Sequence, residues 1–292
     1  CPRDTFLNDK INATLHDSEI DCKKCADGQF SDPGAGRCTE CSVGRFKTSA
    51  GSCDDCEPGF FGFGTSSCKA CPSGFRQPDS GTSYCMPCIQ GEFQNREESK
   101  TCHSCSSGKF QGEKNATRCH SCPAGWYAKD GASPNCFKCR AGTFQQATGK
   151  KACESCPGGK FANVTAMSLC YECPVGSAAA GEENSECIPC SVGSFQSTTG
   201  QSSCTSCPSG WMQERVGAAK CTTAPDGSIV LGGGATSIAV PSGSYLLGCT
   251  EGACTRFQAC PAGWIGHKTP EDSCLACLPG ETSFSGATTC LN

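Results

Sequence analysis

Apolar side chains are sparse along this chain and recur one at a time. In most repeats a single aromatic ring follows within two residues of a glycine, and a stretch rich in Gly, Ser, Thr and Asn then leads to the next cysteine. Such stretches are typical of turns. The pattern predicts a short strand, a turn and a return strand for each repeat, with helix nearly absent. The rings are Phe30, Phe46, Phe60, Phe75, Phe93, Phe110, Trp126, Phe144, Phe161, Phe195, Trp211 and Trp264. We expect them to lie on the disulfides of neighbouring repeats as a thin spine.

A glycine stands three residues after the second cysteine of each pair, from Gly28 to Gly280. The series is unbroken across the repeats. It indicates a backbone position with positive φ, or one that the next chain segment approaches closely, because only glycine meets either demand cheaply.

The cysteines define the repeat itself. Pairs of the form C-x-x-C return every 17 residues from Cys85 to Cys221, and every 15 to 17 residues from Cys22 onwards. A regular short period means that one small module is repeated, each copy too short to bury a core alone. The predicted fold class is small and disulfide-rich with low regular secondary structure: an elongated tandem array of short β-hairpin-like cysteine modules with one β-rich insert.

Four segments follow from the spacing. Residues 1–21 form an atypical N-terminal unit, 22–221 the tandem array, 222–248 a cysteine-free β-forming insert, and 249–292 the C-terminal cysteine repeats. About 14 stacked layers of roughly 10 Å each predict a rod on the order of 140 Å long.

Composition explains what must hold the fold together. Leu, Ile, Val and Phe make up only 38 of 292 residues, whereas cysteine contributes 32. The first number is below the level at which a hydrophobic core usually forms, and the second is typical of a disulfide scaffold. We therefore expect an extracellular or cell-surface location. Three N-x-S/T sequons, at Asn12, Asn115 and Asn163, predict N-linked glycans.

Charge and motifs exclude several function classes. The net charge is -4, so the basic patch that nucleic-acid binding requires is missing. Neither an apolar run of 18 residues nor a signal-peptide pattern is present, and the start at Cys1 suggests a processed chain or a piece of a longer one. No catalytic triad, calcium loop or phosphate loop is recognisable, so the expectation is a protein without enzyme activity or cofactor.

The C-x-x-C series has three chemical interpretations. A redox pair needs a helix start inside a βαβ unit, which this pattern does not offer. Two pairs 12 to 14 residues apart approach a four-cysteine zinc site, but a string of such sites would be needed. Disulfides are favoured because they agree with the single period and the sequons. His103 and His120 lie inside two such pairs, one period apart, where a metal-binding ladder is weighed against plain solvent exposure.

Two connectivities are open. A bond within one C-x-x-C is strained, so the simplest rule joins the second cysteine of each pair to the first of the next; the alternative is an interleaved first-to-third, second-to-fourth pattern. The adjacent rule leaves no cysteine over. It pairs Cys1 with Cys22, Cys25 with Cys38, Cys41 with Cys53, Cys56 with Cys68, Cys71 with Cys85, Cys88 with Cys102, Cys105 with Cys119, Cys122 with Cys136, Cys139 with Cys153, Cys156 with Cys170, Cys173 with Cys187, Cys190 with Cys204, Cys207 with Cys221, Cys249 with Cys254, Cys260 with Cys274 and Cys277 with Cys290.

The insert carries the most apolar stretch in the chain. Its β-branched runs, split by a glycine cluster, predict a hairpin or small meander. Two roles are weighed: a loop that packs on its own array as a cap, and an intermolecular contact through which strands add to a neighbour. The predicted contact residues are Ile229, Val230, Leu231, Ile238, Val240, Tyr245, Leu246 and Leu247.

The repeat C-x-x-C-P-x-G-x-F resembles the ephrin-receptor-like cysteine-rich repeats and, more distantly, modules of tumour necrosis factor receptors and growth-factor receptors. Residues 22–221 and 260–290 carry the likeness, best in Cys122-Pro-Ala-Gly-Trp and Cys207-Pro-Ser-Gly-Trp. Long arrays of this kind also look like surface-coat and mastigoneme proteins of protists and algae. The resemblance implies spacers and adhesive scaffolds.

The predicted function is a non-enzymatic extracellular structural protein that assembles into a filament or coat. Its expected partners are further copies of itself or other extracellular structural proteins, with attached glycans and no nucleic acid or membrane segment. The alternative is a ligand-binding or adhesive ectodomain of a cell-surface receptor, which would concentrate exposed aromatics or arginines on one or two modules.

Overall fold

The computed structural model describes residues 1–7, 19–62, 67–250, 253–267, 271 and 273–292. The chain divides into two compact units, residues 1–138 with 147–152, and residues 139–146 with 153–292. Both consist of small antiparallel hairpins, each made of two strands that follow one another in sequence. Apart from one 3-10 helix, Glu19–Asp21, the described residues contain no helix. The predicted fold class of disulfide-rich hairpin modules is therefore confirmed.

The first unit contains eight hairpins. Their strands are β1 (Thr5–Phe6), β2 (Lys23–Lys24), β3 (Gln29–Phe30), β4 (Thr39–Glu40), β5 (Arg45–Lys47), β6 (Cys53–Asp55), β7 (Phe60–Phe61), β8 (Lys69–Ala70), β9 (Phe75–Arg76), β10 (Met86–Pro87), β11 (Glu92–Phe93), β12 (His103–Ser104), β13 (Lys109–Phe110), β14 (His120–Ser121), β15 (Trp126–Tyr127) and β16 (Phe137–Lys138).

The second unit repeats the arrangement with longer strands in its middle part. The strands are β17 (Thr143–Phe144), β18 (Glu154–Ser155), β19 (Lys160–Phe161), β20 (Tyr171–Glu172), β21 (Ser177–Ala178), β22 (Ile188–Pro189), β23 (Ser194–Phe195), β24 (Thr205–Ser206), β25 (Trp211–Met212), β26 (Thr222–Thr223), β27 (Ser228–Val230), β28 (Ser237–Ala239), β29 (Ser244–Leu247), β30 (Arg256–Ala259), β31 (Trp264–Ile265) and β32 (Leu275–Ala276).

Disulfides occupy the interior of the modules. Sixteen bonds join each cysteine to a near neighbour in sequence, from Cys1–Cys22 to Cys277–Cys290, and none is interleaved. No cysteine among the described residues is free. In most modules the second cysteine of each pair is fully buried, as at Cys88 and Cys156. Most of these bonds close one hairpin each, so those modules are covalently complete by themselves; no bond joins the two ends of β27/β28.

The recurring glycine has a positive φ and is also approached closely by another module, as its spacing predicts. Gly91 has φ 84°, and a Cβ atom placed on it would overlap the carbonyl oxygen of Ala132, two modules further on. Its amide donates to the carbonyl of Gln111 at 2.8 Å. In the opposite direction, the Asn115 amide donates to the Cys88 carbonyl at 3.0 Å. The close approach is thus part of a main-chain hydrogen-bond ladder that ties each module to the following ones.

The aromatic rings take a different position from the predicted spine. All are half-buried except Trp264, which is exposed, and each is paired with a residue between the next two cysteines across its own hairpin. Phe93 lies 5.8 Å from His103, and Phe161 lies 6.3 Å from Tyr171, between ring centroids. The fully buried side chains are those of cystines, of small residues and of residues with a side-chain amide. A ring is too large for the narrow space between modules that approach one another by their backbones.

Buried glutamines are the part of this interior that sequence reasoning missed. The Gln94 side chain donates to the Thr101 carbonyl at 2.7 Å and accepts from the Arg96 amide at 3.1 Å, so it closes the loop between the two strands. The same pair of bonds recurs at the buried Gln77, Gln111 and Gln196 and at the half-buried Gln213. The signal in the sequence is the recurrence of Gln directly after the strand that carries the ring.

Replacing Gln94 by alanine is expected to lower the free energy of unfolding of its module by about 1–3 kcal/mol, because the Thr101 carbonyl and the Arg96 amide lose the partner that the buried side chain supplies. The matched control is Gln90→Ala in the same module, which removes one exposed hydrogen bond to Gly112. Amide hydrogen exchange of residues 94–102 checks the difference. Equal protection in the two variants would show that the buried amide does not hold the loop.

Candidate interaction surface

The hairpins β27/β28 and β29/β30 form the part of the chain that the sequence singles out. Strand β27 pairs with β28 through Ile229 opposite Ile238, and β29 pairs with β30 through Leu246 opposite Phe257. The predicted β-forming insert is therefore two separate hairpins, and the second one extends past residue 248. Each is longer than the two-residue hairpins around it because its apolar residues extend the pairing.

Both hairpins keep the backbone pattern of the array although the disulfide that would close each one is missing; the loop of β29/β30 contains the short Cys249–Cys254 bond instead. Gly227 has φ 76°, and the Ser228 amide donates to the Pro225 carbonyl at 3.0 Å, as Trp211 does to Pro208 one module earlier. The Val240 amide donates to the Gly227 carbonyl at 2.8 Å, in the place where a buried cysteine does so elsewhere. The segment is thus a pair of array modules whose cysteine positions are occupied by other residues.

Apolar side chains replace the missing bonds. Ile229, 2 % exposed, and Val240, 6 % exposed, pack with Cys254, and Leu246 lies against this cluster. Burial of such side chains stabilises by about 1.5–3 kcal/mol each, which is comparable with one closed disulfide loop. The cluster therefore does locally what a cystine does in the other modules.

This packing corrects part of the predicted contact. Ile229, Val230 and Val240 are buried in their own chain, because a module without its disulfides needs an apolar interior, so they do not form an exposed contact surface. Tyr245, Leu246 and Leu247 are half-buried along β29, with Tyr245 donating from its hydroxyl to Gln258 at 3.3 Å.

Leu231 and Ile238 are the exposed members of the predicted set, at 52 % and 38 %. Leu231 lines a cavity of about 230 Å³ together with Trp211 and the glycine loop 232–234. Ile238 stands at the module position that elsewhere is the first residue between the two cysteines of a pair. We call this the edge position.

Large apolar residues recur at the edge position. It is occupied by Phe137 in the first unit and by Tyr171, Ile188 and Leu275 in the second, and Ile188 is 67 % exposed. A single exposed apolar residue is common on protein surfaces. Its recurrence at one structural position means that several modules expose an apolar side chain at the same place. The sequence contained this signal inside the C-x-x-C pairs, where the residues between the cysteines are otherwise polar in many modules.

The sequon asparagines are exposed wherever the structure describes them. Asn115 and Asn163 lie at the surface, whereas Asn12 lies outside the described residues. Asn115 also has φ 60° and occupies the loop position that Gly149 and Gly200 fill in other modules. Its backbone contacts the preceding modules while its side chain is available to solvent, so a glycan there would not disturb the ladder.

Titratable groups do not form a metal centre among the described residues. The one cluster with suitable spacing contains Cys277, Glu281 and Cys290, and its two sulfurs are bonded to each other. His103 and His120 face Phe93 and Phe110 rather than each other. The exposed guanidinium of Arg45 donates to Asp55 at 2.6 Å, and that hydrogen bond raises the pKa of Arg45.

Comparison with known proteins identifies the repeat. Residues 91–135, 125–168 and 176–223 match the family described as tyrosine-protein kinase ephrin type A/B receptor-like. Among curated proteins, none matches the sequence. Within the described residues no helix is both long and apolar enough to cross a bilayer.

Proposed function

We propose that this chain, which carries tandem ephrin-receptor-like repeats, is a non-enzymatic extracellular structural protein that assembles through its modules into a filament or coat. The repeats and the sixteen disulfides point to an extracellular or secreted domain, since such bonds persist in oxidising compartments. The likeness to surface-coat and mastigoneme proteins rests on the sequence pattern alone. The proposal includes N-linked glycans at Asn115 and Asn163, and it requires no cofactor.

The observation that carries the proposal is the recurrent apolar edge position. Equivalent modules present equivalent surfaces, so a lateral contact made by one module is repeated by the next, and many weak contacts add. Exposed apolar side chains at that position supply the contact energy, of the order of 1–3 kcal/mol for each one that is buried. Leu231 and Ile238 likewise expose apolar side chains, on the β27/β28 hairpin that no disulfide closes.

Replacing Ile188 and Ile238 together by lysine is expected to raise the concentration at which the chain assembles by roughly tenfold or more, because two exposed apolar contacts become charges. Sedimentation and light scattering over a concentration series measure it. The matched control is Thr39→Lys/Thr205→Lys, which adds the same charge at two polar, exposed edge positions in β4 and β24. A wild-type chain that stays monomeric and monodisperse at all concentrations contradicts assembly.

Val230→Lys serves a different purpose in the same experiment. Because Val230 is buried, the lysine would be forced into the interior and is expected to unfold the module rather than only to block assembly. Loss of amide protection around residues 228–240 distinguishes this effect from the loss of a surface contact.

The second candidate is a ligand-binding ectodomain. The family description, which is that of receptor tyrosine kinases, favours it. Such a function predicts one localised binding site and no concentration-dependent assembly. A monomeric chain that binds a soluble ligand tightly would support this candidate over the structural one.

A further inference from the structure

A groove in the first unit collects side chains that the repeat does not require. It lies between the hairpins β11/β12 and β13/β14, is open to solvent, and has a volume of about 510 Å³. One wall carries the rings of Phe93 and His103, whose centroids are 5.8 Å apart. Lys109 and Arg118 also line it. A cavity of this size falls in the range of small-ligand sites, about 300–1,000 Å³.

The groove is cationic on a chain that is acidic overall. Lys109 and Arg118 line it, the imidazole of His103 adds a further nitrogen donor, and no lining residue is a carboxylate. Neither Lys109 nor Arg118 forms an ion pair with a carboxylate among the described residues. Their charges are thus available to an anion from outside.

The repeat shows that the fold does not demand these charges. His103 occupies the edge position, Lys109 follows the recurring glycine, and Arg118 precedes the next cysteine. The preceding module has Met86, Glu92 and Thr101 at these positions; the following module keeps a histidine, His120, but has Trp126 and Asn135 in place of the lysine and the arginine. Residues 103–118 are the only stretch in which a histidine, a lysine and an arginine occupy these three positions together. The fold of the repeat therefore does not require this combination.

Hydroxyl and amide groups complete the lining. Asn95, Ser106 and Thr117 surround the cations, and all three are exposed. Arg and Lys bind sulfate-like and carboxylate oxygens through charge-assisted hydrogen bonds, the hydroxyls suit sugar hydroxyls, and the ring pair offers an apolar surface to the face of a sugar ring. We propose that this groove binds an anionic saccharide, one that carries sulfate or carboxylate groups.

The proposal is independent of assembly, because the groove uses side chains between two hairpins of one chain. It also predicts a weak, salt-dependent site, since the charges are exposed and screened by ions. Raising the salt concentration from about 20 mM to about 300 mM is expected to weaken binding roughly tenfold.

The test is titration calorimetry of the full chain with three probes: a sulfated heparin hexasaccharide, a uronate hexasaccharide without sulfate, and a neutral dextran hexasaccharide. The variant Lys109→Gln/Arg118→Gln is expected to lose affinity for the charged probes by at least roughly tenfold, because two charge-assisted contacts are removed. Lys129→Gln/Lys151→Gln is the matched control; it removes the same charge from exposed residues outside the groove.

Each result has a defined meaning. Binding of the sulfated or the uronate probe, lost in the groove variant and kept in the control, supports the site, and the stronger probe identifies which anion it takes. Equal loss in both double variants would overturn the proposal, because charge in general would then be responsible. A fourth probe, a polyphosphate chain of equal charge, would overturn it by binding as tightly as the saccharides. Tight binding of the neutral dextran would overturn it as well, and so would the absence of binding at low salt.

Discussion

Gly176→Ala is expected to be among the most damaging single substitutions in the second unit, lowering the free energy of unfolding of its module by more than about 3 kcal/mol. Gly176 has φ 79°, which costs an alanine about 1 kcal/mol. The added Cβ would also overlap the carbonyl oxygen of Gly217, a rigid backbone atom, so a module contact must open. Hydrogen exchange of the Gly217 amide, which donates to the Cys190 carbonyl at 2.8 Å, reports that opening.

The array supplies its own control at its C-terminal end. Gly280 occupies the same repeat position with φ 96°, but no described atom lies within 4 Å of a Cβ placed there. Gly280→Ala therefore has the conformational cost without the collision, and it is expected to lower the free energy of unfolding by only about 1 kcal/mol. Equal losses in the two variants would mean that the close approach of modules contributes nothing.

Removing one internal disulfide is expected to lower the free energy of unfolding of its module about as much as Gly176→Ala does. The bond Cys156–Cys170 spans 14 residues, and Cys156 is fully buried. In the chain-entropy model a loop of this length contributes about 3 kcal/mol, and the lost sulfur contacts add to it. Cys156→Ala/Cys170→Ala should make residues 156–170 the first segment cut in limited proteolysis. The double variant is used because a single substitution leaves a free thiol that can exchange.

The companion variant adds a bond where the array lacks one. Ala224 and Ser237 stand at the same offsets from the β27/β28 pairing as Cys156 and Cys170 do from β19/β20. Ala224→Cys/Ser237→Cys is therefore expected to form a disulfide and to gain up to about 3 kcal/mol. Two free thiols in the oxidised protein would show that these positions are not equivalent to a cysteine pair.

Much of the fold was predictable because short-range features determine it. Cysteine spacing restricts each module to a loop that a hairpin can close, and the glycine series predicts a backbone that other residues adopt only with strain. The low aliphatic content excludes a conventional core before any contact is known. Exposure of Asn115 and of the edge position also follows from position in the repeat, once the hairpin is recognised.

Other properties depended on what packs against each residue. The apolar run from Ile229 to Leu231 is uniform in composition but not in burial. Ile229 packs in the cluster with Cys254 and Val230 is also buried, whereas Leu231 is exposed. Likewise the recurrence of Gln after the ring marks the position of Gln94, but its burial and its two backbone partners appear only in the folded loop, whereas the exposed Gln90 has one such bond.

The sequence by itself determined the repeat, the disulfide class and the glycine positions, since these depend on covalent spacing and backbone conformation within one module. Only the tertiary structure decided that Gly91 lies against Ala132, that Val240 replaces a buried cysteine, and that Lys109 and Arg118 share one groove. The first relation joins residues two modules apart, and the groove brings Lys109 and Arg118 together with His103 of the preceding hairpin. Their distances depend on how successive hairpins stack, and a regular period leaves the geometry of stacking open.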